Sequence, residues 1–424
     1  MDTRTKNVSL EDLQRIVGAE HAREATPEDA VDGVEPAFVA EPGSVEETSE
    51  LLRLAGDEGL AVAPRGGGTK MGWGNPPRDL DLVVSTTRMN GIIEHVPGDQ
   101  VVRVQAGMRL HDLQERLAGS DQMLGIDSPE MEATIGGIVA ANSTGPRRYR
   151  YGTIRDIIIG IRIVLPDGTV AKAGGKVVKN VAGYDLSKLF TGSLGTLGVI
   201  AECNFRLHPK PETARAVAVE LSSTAAANEA AQAILHSQLV PSAVELHWGR
   251  EARLLTVLIE GIPPAVEAQA QTASHLLRGF GEVRTLSEGE AENLGPLKPP
   301  GTGGEVALKI STPPAELAGV LDSTLGACSR RGVTPRITAH AGNGVTYVGL
   351  SGGDEESWAQ IVEELREIWT RRGGSVVVRG APLSFKKRVE VWGPLGSRLE
   401  LSRRVKEKFD PRGTLNPGRF VGGI

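Results

Sequence analysis

A run of three glycines is the clearest chemical feature in the first half of the chain. It stands in the segment Arg65-Gly66-Gly67-Gly68-Thr69-Lys70, directly after a short apolar strand predicted at residues 60–63. Successive glycines present backbone N–H groups without interference from a Cβ atom, and such a nest binds the oxygens of a phosphate or pyrophosphate. Taken alone, three glycines are also compatible with a plain tight turn. The loop is neither a Walker A loop, because no Gly-Lys-Ser/Thr ends it, nor a Rossmann Gly-x-Gly-x-x-Gly fingerprint.

Two further clusters of small residues follow, at residues 134–146 and 192–200. The first reads Thr-Ile-Gly-Gly-Ile-Val-Ala-Ala-Asn-Ser-Thr-Gly-Pro, and the second reads Gly-Ser-Leu-Gly-Thr-Leu-Gly-Val-Ile. Side chains this small let a diphosphate or a flat ring lie against bare backbone. Three separate loops of this kind are hard to explain as turns, so together they favour a binding site.

The elements around these loops predict two small α+β units. The first contains a helix that begins at a capping box at residues 44–47 and ends at Gly59, followed by the strand that leads into the first glycine loop. The second begins near Gly136 and contains a hairpin, because Asp167-Gly168 joins two apolar strands. Glycine becomes rarer after residue 212, where we place a domain boundary.

Beyond that boundary, strands alternate with helices in an order that occurs twice. The first copy is predicted as strand 214–221, helix 224–236, strands 242–248 and 253–260, helix 263–278 and strand 282–286. The second is predicted as strand 305–311, helix 314–331, strands 334–340 and 345–350, helix 354–371 and strand 374–380. Two such βαββαβ units in tandem predict antiparallel sheet that helices cover on one face. A loop rich in Gly and Pro at 290–304 separates them.

Length and composition restrict the class of protein. The chain has 424 residues, of which 40% are hydrophobic and 24% charged, and its formal net charge is -6. This length exceeds the ~250–300 residues at which a single core stops growing, so we expect at least two domains. Basic residues that are scattered through a negatively charged chain argue against a nucleic-acid partner.

The cysteines and the absence of long apolar stretches exclude other classes. Cys203 and Cys328 stand far apart without Cys-x-x-Cys spacing, so they predict no iron–sulfur cluster, zinc site or disulfide framework. No stretch reaches the ~18 apolar residues of a membrane span, and residues 1–20 lack an apolar signal region. We therefore expect a cytoplasmic protein without a transmembrane segment.

Four motifs, in this order along the chain, resemble the flavin-binding domain of the vanillyl-alcohol oxidase and p-cresol methylhydroxylase type. They are Pro64–Thr69, Ile135–Asn142, Tyr151–Asp156 and Gly195–Ile200. Within that family, the chain is most similar to the E-type subunits of bacterial glycolate oxidases, through Lys179–Phe190 and Leu415–Phe420.

The resemblance implies an α+β fold with four parts. An N-terminal segment at residues 1–34 precedes a p-cresol methylhydroxylase-type (PCMH-type) FAD-binding domain of two α+β subdomains at residues 35–212. A cap or substrate domain of two tandem ferredoxin-like βαββαβ units follows at residues 213–385. The C-terminal segment, residues 386–424, is expected to pack back on the FAD-binding domain.

The resemblance also implies FAD as the cofactor, with its pyrophosphate on the first glycine loop. Family members with covalent flavin carry a histidine just after the glycines, where this chain has Thr69 and Lys70, so we expect noncovalent FAD. The implied cofactor-binding residues are Arg65, Gly66, Gly67, Gly68, Thr69, Lys70, Met71, Thr134, Gly136, Gly137, Asn142, Thr144, Gly198, Val199 and Ile200.

The metal-binding histidines of the related hydroxy-acid dehydrogenases are only partly present. Those enzymes carry a His-x-Gly-Asp-Gly-Asn-Leu-His segment and a later Glu-His-Gly-Ile-Gly segment. The matching stretch here begins at His340 but has Tyr347 where the second histidine would stand, and no Glu-His pair occurs near Arg379. A single imidazole beside an amide and a phenol is a poor ligand set, so we expect no metal.

His340 is still the candidate catalytic residue. A neutral imidazole at a strand turn can accept a hydroxyl proton, and the alternative is a hydrogen-bonded structural histidine in a glycine turn. Arg379, Lys386 and Lys387 are candidates for binding a substrate carboxylate, with a solvated basic face as the alternative for the lysines. The arginines of the segment 147–150 suit phosphate, a substrate carboxylate or the acidic surface of a partner, and solvated charge is again the alternative.

These features favour an FAD-binding subunit of a glycolate oxidase (glycolate dehydrogenase) complex, which oxidises glycolate or a similar 2-hydroxy acid to the 2-oxo acid. Because the chain lacks iron–sulfur ligands, the expected partners are a paralogous catalytic FAD-binding subunit and an iron–sulfur subunit, through which the chain can reach the inner membrane. A second hypothesis is a noncatalytic FAD-bearing scaffold or electron-relay subunit. A third is a stand-alone FAD-dependent alcohol or sugar oxidase.

Overall fold

The computed structural model describes residues 8–128, 130–175, 185–250, 253–286 and 306–424. They divide into two compact units, and the chain passes between the units several times. The first unit contains residues 8–144, 153–210 and 394–424, and the second contains residues 145–152 and 211–393. The described N-terminal residues and the C-terminal residues from 394 onward therefore belong to the same unit as the glycine loops.

A four-stranded sheet in the first unit leads into the three-glycine loop. Its strands lie in the order Ala22–Glu24, Phe38–Ala40, Leu82–Ser85 and Val62–Arg65. The first pair is antiparallel and the next two pairs are parallel. Parallel strands require a connection that crosses over the sheet, and the helix Val45–Glu58 provides one. The edge strand Val62–Arg65 of this sheet ends at Arg65, so the glycines follow it immediately.

The ends of the helix Val45–Glu58 are largely those that the sequence predicts. The Ser44 hydroxyl accepts a hydrogen bond from the N–H of Glu47, and Gly59 ends the helix in the left-handed conformation with φ 69°. The reciprocal half of the capping box is different, because the Glu47 carboxylate accepts from the N–H of Gly43 rather than from that of Ser44. The cap therefore reaches one residue further towards the N-terminus than predicted.

A five-stranded antiparallel sheet carries the third glycine loop. Its strands lie in the order Ile92–Val96, Val101–Gln105, Val199–Arg206, Ile158–Val164 and Val170–Gly174. The predicted Asp-Gly hairpin is confirmed, because Gly168 has φ 82° and Leu165 accepts its N–H. The third loop leads directly into the central strand Val199–Arg206, which is buried along almost its whole length. A two-stranded sheet, Gln122–Met123 with His208–Pro209, completes this region.

The helices of the first unit are mostly short. They are Leu10–Val17, Val45–Glu58, Leu110–Ala118, Ile135–Ala141, Ile154–Ile157, Leu186–Phe190 and Arg398–Phe409. The helix Ile135–Ala141 contains the second glycine pair, and it packs into the hydrophobic core that also includes the five-stranded sheet. Of the motif Lys179–Phe190, residues up to 184 lie outside the described residues, and the remainder forms the short helix.

The second unit is built on one eight-stranded antiparallel sheet. Its strands lie in the order Val283–Leu286, Thr213–Glu220, Arg253–Gly261, Ala243–Trp248, Thr334–His340, Val345–Ser351, Val306–Ser311 and Ser375–Gly380. Its longer helices are Thr224–Leu235, Pro263–Leu277, Leu317–Ser329 and Glu355–Arg371, and its short ones are Arg148–Tyr151 and Leu383–Arg388. The order strand, helix, strand, strand, helix, strand occurs twice, and pairing of Ala243–Trp248 with Thr334–His340 joins the two copies into one sheet. The predicted loop at 290–304 lies outside the described residues.

The two faces of this sheet differ in chemistry because side chains alternate along each strand. One face contributes apolar side chains to a single core with the four longer helices, among them Val217, Leu246, Val257, Ile310, Val348 and Val376. The residues between them in sequence point the other way and include Glu245, His247, Lys309, Thr338, His340 and Tyr347. The second unit therefore presents a row of polar and ionisable side chains on its second sheet face.

Candidate functional site

A cavity in the first unit is lined by all three glycine-rich loops. It encloses about 690 Å³ of space between protein atoms, part of which is open to solvent. The predicted cofactor-binding residues that line it are Arg65, Gly66, Gly67, Gly68, Thr69, Lys70, Met71, Thr134, Gly136, Gly137, Gly198, Val199 and Ile200. Residues that are far apart in sequence thus line one cavity.

The first two glycines of the first loop also allow backbone segments to pack closely. A Cβ atom on Gly67 would lie 1.6 Å from the carbonyl oxygen of Glu132, and one on Gly66 would lie 2.0 Å from Thr134 Oγ1. Gly68 has open space around its Cβ position but adopts φ 74°, which side chains rarely tolerate. A side chain is therefore disfavoured at all three positions, by close contacts at Gly66 and Gly67 and by the backbone conformation at Gly68.

The two cations that flank these glycines each have a carboxylate partner. Arg65 Nη1 lies 2.9 Å from Asp29 Oδ1, and Arg23 binds the other oxygen of the same carboxylate at 2.7 Å. The hydrogen bond from Arg23, helped by Arg65, holds the pKa of Asp29 well below its usual range although burial acts in the opposite direction. Lys70 forms an ion pair with Glu130. These ion pairs thus hold both cations in position on either side of the three glycines.

Thr134 offers an unused hydrogen-bonding group at the cavity. It precedes the helix Ile135–Ala141 in extended conformation, and its side-chain oxygen is buried with no hydrogen-bond partner among the described residues. Buried polar atoms are nearly always satisfied, so an orphaned hydroxyl beside a cavity indicates a group that a bound ligand completes. The glycine loops and this hydroxyl together suit a ligand rich in phosphate oxygens.

The lining differs from the predicted set at several positions. Asn142 and Thr144 do not line this cavity, and Asn142 instead ends the helix Ile135–Ala141 in the left-handed conformation with φ 46°. Lining residues that sequence reasoning missed are Pro64, Thr86, Ala140, Ala141, Leu194, Gly195, Asn416 and Arg419. The last two stand in the motif Leu415–Phe420, which carried a family resemblance but no assigned role.

Comparison with known proteins agrees with this geometry. Residues 36–174 match the family described as FAD binding domain, and residues 386–420 match the C-terminal domain of FAD linked oxidases. The structure of p-cresol methylhydroxylase with substrate bound superposes with a TM-score of 0.76, covers 97% of this chain and 95% of that chain, and is 16% identical. Alkyldihydroxyacetonephosphate synthase superposes with a TM-score of 0.72, over 96% of this chain and 84% of that chain, at 19% identity. The chain has the PCMH-type FAD-binding fold, and FAD is its cofactor.

The relatives in sequence narrow the class further. An uncharacterized FAD-linked oxidoreductase of Mycobacterium tuberculosis is 27% identical over 91% of both chains. The glycolate oxidase subunit GlcD of Bacillus subtilis is 26% identical over 91% of this chain and 89% of its own length, and the D-2-hydroxyglutarate dehydrogenase of Xanthomonas citri pv. viticola is 28% identical over the same shares. The protein is therefore an FAD-linked oxidoreductase.

The predicted catalytic residue, His340, lies in the second unit and is paired with a carboxylate. Its Nδ1 lies 2.7 and 2.9 Å from the two carboxylate oxygens of Glu245, and both side chains are buried. Glu245 faces His340 across two paired strands. A carboxylate at Nδ1 fixes the imidazole tautomer with the proton on that nitrogen, so that Nε2 is the acceptor in the neutral ring. This arrangement suits a general base as well as a structural pair.

Tyr347 and three cations lie on the other side of His340. The Tyr347 ring is edge-on to the imidazole with centroids 5.3 Å apart, and the Arg379 guanidinium stands 5.0 Å from the Tyr347 ring centre. Lys309 is the strand partner of Tyr347. Burial, and then the charges of Arg379 and Arg148, lower the pKa of Lys309 to about 8. Three cations thus gather around one position on the polar sheet face.

The other basic candidates have separate positions. Arg147 forms an ion pair with Glu260 at 2.7 Å, and Arg150 donates to the Glu260 carbonyl at 2.6 Å, so both hold the segment 145–152 within the second unit. Arg148 differs, because its Nε is buried with no hydrogen-bond partner among the described residues. Lys387 is exposed, as expected for solvated charge, but Lys386 is buried. The solvated alternative is therefore wrong for Lys386.

His247 is a second imidazole on the same sheet face. Burial, and then the nearby His340, lower its pKa to about 4, so it is neutral near neutral pH. Within the described parts of the chain, no three His, Cys, Asp or Glu side chains come together as a metal site, and no helix there could cross a membrane. The absence of a metal stays a prediction.

Proposed function

We propose that the protein is an FAD-dependent dehydrogenase subunit that oxidises the hydroxyl-bearing carbon of a 2-hydroxy acid, such as glycolate, to the 2-oxo acid. The observation that carries this proposal is the grouping of one carboxylate-held imidazole and three cations around Tyr347 on one sheet face. The names of the relatives support it, since they include a glycolate oxidase subunit, D-lactate dehydrogenases and D-2-hydroxyglutarate dehydrogenases.

His340 is suited to remove the hydroxyl proton. In the neutral ring, Nδ1–H donates to Glu245, and Nε2 accepts the proton of the substrate hydroxyl. The imidazolium that forms is stabilised by the negative charge of Glu245, which lies within hydrogen-bond distance. Glu245 is therefore a positioning residue, because it acts through the imidazole and not directly on the substrate.

The cations suit the substrate's carboxylate. Arg379 and Arg148 each offer a planar fork of donors that matches a carboxylate, and Lys309 adds a buried point charge. Like charges that are brought together without a ligand repel each other, so an anion at this position lowers their mutual repulsion. A 2-hydroxy acid carries its hydroxyl one carbon away from its carboxylate, which suits a base and an anion site that lie on the same face of one sheet.

FAD, when bound, supplies the two-electron acceptor for the hydride that leaves the hydroxyl-bearing carbon. The residues that would hold it are those of the glycine-lined cavity in the first unit, with Thr134 Oγ1 and the backbone of residues 65–71 at the phosphates. We also propose that the FAD is noncovalent, because Thr69 and Lys70 follow the glycines where covalent relatives carry histidine. The sequence-based boundaries at 34, 212 and 385 remain our proposal for the functional domains.

The finer proposal is an E-type subunit of a glycolate oxidase complex, with a paralogous FAD-binding catalytic subunit and an iron–sulfur subunit as partners. One observation favours a second candidate, a noncatalytic scaffold or electron-relay subunit. Tyr347 occupies the place of the second metal-binding histidine of related dehydrogenases, and its ring contacts His340 edge-on. A site in which tyrosine has replaced the second histidine ligand, so that it no longer binds the metal, would contain a residue like Tyr347 beside His340.

The test that separates these candidates is anaerobic addition of 2-hydroxy acids to the purified protein while its flavin absorption is recorded. Glycolate, D-lactate and D-2-hydroxyglutarate should be compared, first with the chain alone and then with its partners. Bleaching in the lone chain supports a catalytic dehydrogenase. Bleaching only in the complex supports the scaffold or relay role. If no 2-hydroxy acid bleaches the flavin in either form, the proposed reaction is wrong.

A further inference from the structure

The segment Gly145–Gly152 is held in the second unit by contacts on both sides of Arg148. The arginines at positions 147 and 150 bind the carboxylate and the carbonyl of Glu260. Tyr149 packs on Gly342, two residues after the candidate base, because a Cβ atom there would lie 2.5 Å from the tyrosine ring. These contacts fix the backbone from which the Arg148 side chain extends.

Arg148 and Lys309 are two cations whose charges act on each other and that have no acidic partner. Arg148 Nε is buried without a hydrogen-bond partner, and neither side chain forms an ion pair or a hydrogen bond within the described ranges of the chain. Burial lowers the pKa of Lys309, and the charges of Arg379 and Arg148 act in the same direction. Buried charges are rare unless they are paired, so these two cations indicate the position of a bound anion.

Two buried carboxylates on the same sheet face are already engaged by other side chains. Glu245 binds His340 Nδ1 at 2.7 Å, and Glu260 binds Arg147 at 2.7 Å. Each of them therefore has a partner of its own. A ligand that binds between Arg148 and Lys309 has to bring the negative charge with it.

The positive charge at this position is more than one carboxylate of a substrate can balance. A carboxylate matches a single guanidinium fork in the arrangement with two parallel hydrogen bonds. If the only carboxylate binds Arg148, Lys309 stays without a counter-charge, and the reverse is equally true. Arg379, which stacks on the Tyr347 ring, adds further positive charge. A second anionic group on the same substrate removes this imbalance.

We infer that the substrate is a 2-hydroxy acid with a second anionic group, either a carboxylate or a phosphate, and that Arg148 is the residue that selects for this group. The inference rests on the proposed oxidation of a 2-hydroxy acid and narrows its substrate class. The planar fork of Arg148 suits either group, since both accept two hydrogen bonds from a guanidinium. Glycolate, with one carboxylate, is then a poorer substrate than an acid with two anionic groups.

The test compares the binding of three acids that the flavin cannot oxidise. Valerate has one carboxylate, glutarate has a second carboxylate on a chain of the same length, and 4-phosphonobutyrate has a phosphonate in that place. Each is titrated into the FAD-loaded full-length protein by isothermal titration calorimetry. We expect glutarate or 4-phosphonobutyrate to bind about 10- to 100-fold more tightly than valerate, the range that hydrogen bonds to charged groups contribute. The tighter of the two identifies the second group as a carboxylate or a phosphate.

Substitution of Arg148 should change this preference and not merely the affinity. In Arg148→Met the ratio of the two dissociation constants should fall close to one, with little change for valerate. Arg148→Lys keeps the charge but loses the fork, so its ratio should lie between those of Arg148→Met and the wild type. Arg371→Met is the matched control, because it removes an exposed cation from the helix Glu355–Arg371, which packs on the other face of the sheet. The control should keep the wild-type ratio.

Equal affinities for the three acids in the wild type would overturn the inference, and this comparison does not depend on whether a variant folds. A preference that is undiminished in Arg148→Met, or that is lost equally in Arg371→Met, would remove Arg148 as its cause. Because none of the three acids is oxidised, failure of the proposed reaction is recognised separately, as a flavin that no 2-hydroxy acid reduces.

Discussion

His340 Nδ1 lies 2.7 Å from a carboxylate oxygen of Glu245, and the two residues are direct partners on adjacent antiparallel strands. A pairing that is set by strand register holds the imidazole without depending on a loop. On the next strand, Tyr347 lies edge-on to the imidazole, and its own strand partner is Lys309. The imidazole and the carboxylate that we assign to the chemistry therefore both belong to the eight-stranded sheet of the second unit.

Removing the charge of Glu245 should slow the reaction without much change in substrate binding. In Glu245→Gln the side chain keeps its shape, but it no longer stabilises a protonated imidazole. We expect kcat to fall about 10- to 100-fold, with KM changed little, since the lost interaction develops with the proton transfer. Steady-state kinetics with an artificial electron acceptor measure both constants. Glu229→Gln, which removes an exposed carboxylate from a helix of the same unit, is the control and should leave both constants unchanged.

Substrate binding should weaken at alkaline pH because of Lys309. The pKa of Lys309 is lowered to about 8, so the amine is charged below that pH and neutral above it. A carboxylate loses one cationic partner as the pH rises through this value, and KM for a 2-hydroxy acid should increase over the same range. Lys309→Arg should move this increase to a higher pH, because a guanidinium keeps its proton. A pH profile of KM that is the same in the wild type and in Lys309→Met would remove Lys309 from the anion site.

The glycine loop should not accept even one methyl group at Gly67. A Cβ atom there would lie 1.6 Å from the carbonyl oxygen of Glu132, so Gly67→Ala must move one backbone segment away from the other. We expect this variant to lose most of its FAD and to unfold with about 1–3 kcal/mol less free energy. Gly72→Ala is the control, because nothing lies within 4 Å of its Cβ position. The ratio of flavin to protein after gel filtration measures the effect, and equal ratios for the two variants would contradict it.

Asp29 should stabilise the first unit in a way that depends on pH. Its pKa is held well below the usual range by Arg23 and Arg65, so its contribution is fully present above the unfolded value of about 4 and is lost as the pH falls further. Asp29→Asn should reduce the free energy of unfolding by about 1–3 kcal/mol at neutral pH, with a smaller difference in acid. Denaturant unfolding at both pH values tests this, with the exposed neighbour Glu28→Gln as the control. A difference that does not change with pH would show that the ion pair is not its cause.

Local patterns in the sequence predicted the glycine loops and the repeated order of strands and helices, and the family resemblance supplied the individual cofactor-binding residues. Glycine clusters mark their own loops, and strands with turn residues between them predict the repeated βαββαβ order, because both signals act over a few residues. The residues at 65–71, 134–137 and 198–200 that the resemblance assigns to the cofactor largely line the cavity. Asn142, which the resemblance assigns to the ligand, ends a helix in the left-handed conformation and is not among the residues that line the cavity.

Long-range pairings could not be predicted in the same way. Glu245 stands 95 residues before His340, and only the order of strands in the eight-stranded sheet makes them neighbours. Arg419 meets Met71 across 348 residues of sequence, and the ion pair of Arg147 with Glu260 depends on a short segment that joins the second unit. Nothing in composition or spacing encodes such contacts, because they follow from the tertiary structure.

The most direct test of the proposed function is the rate of flavin reduction in a single turnover, measured after anaerobic mixing of the FAD-loaded protein, with its partners if needed, with a 2-hydroxy acid. We expect reduction to be slower when deuterium replaces hydrogen on the hydroxyl-bearing carbon, and we expect His340→Gln to lower the rate about 100-fold or more with its FAD content unchanged. Reduction of the His340→Gln flavin at the wild-type rate would contradict the assignment of His340 as the base. A flavin that no 2-hydroxy acid reduces, in any assembly, would contradict the proposed reaction itself.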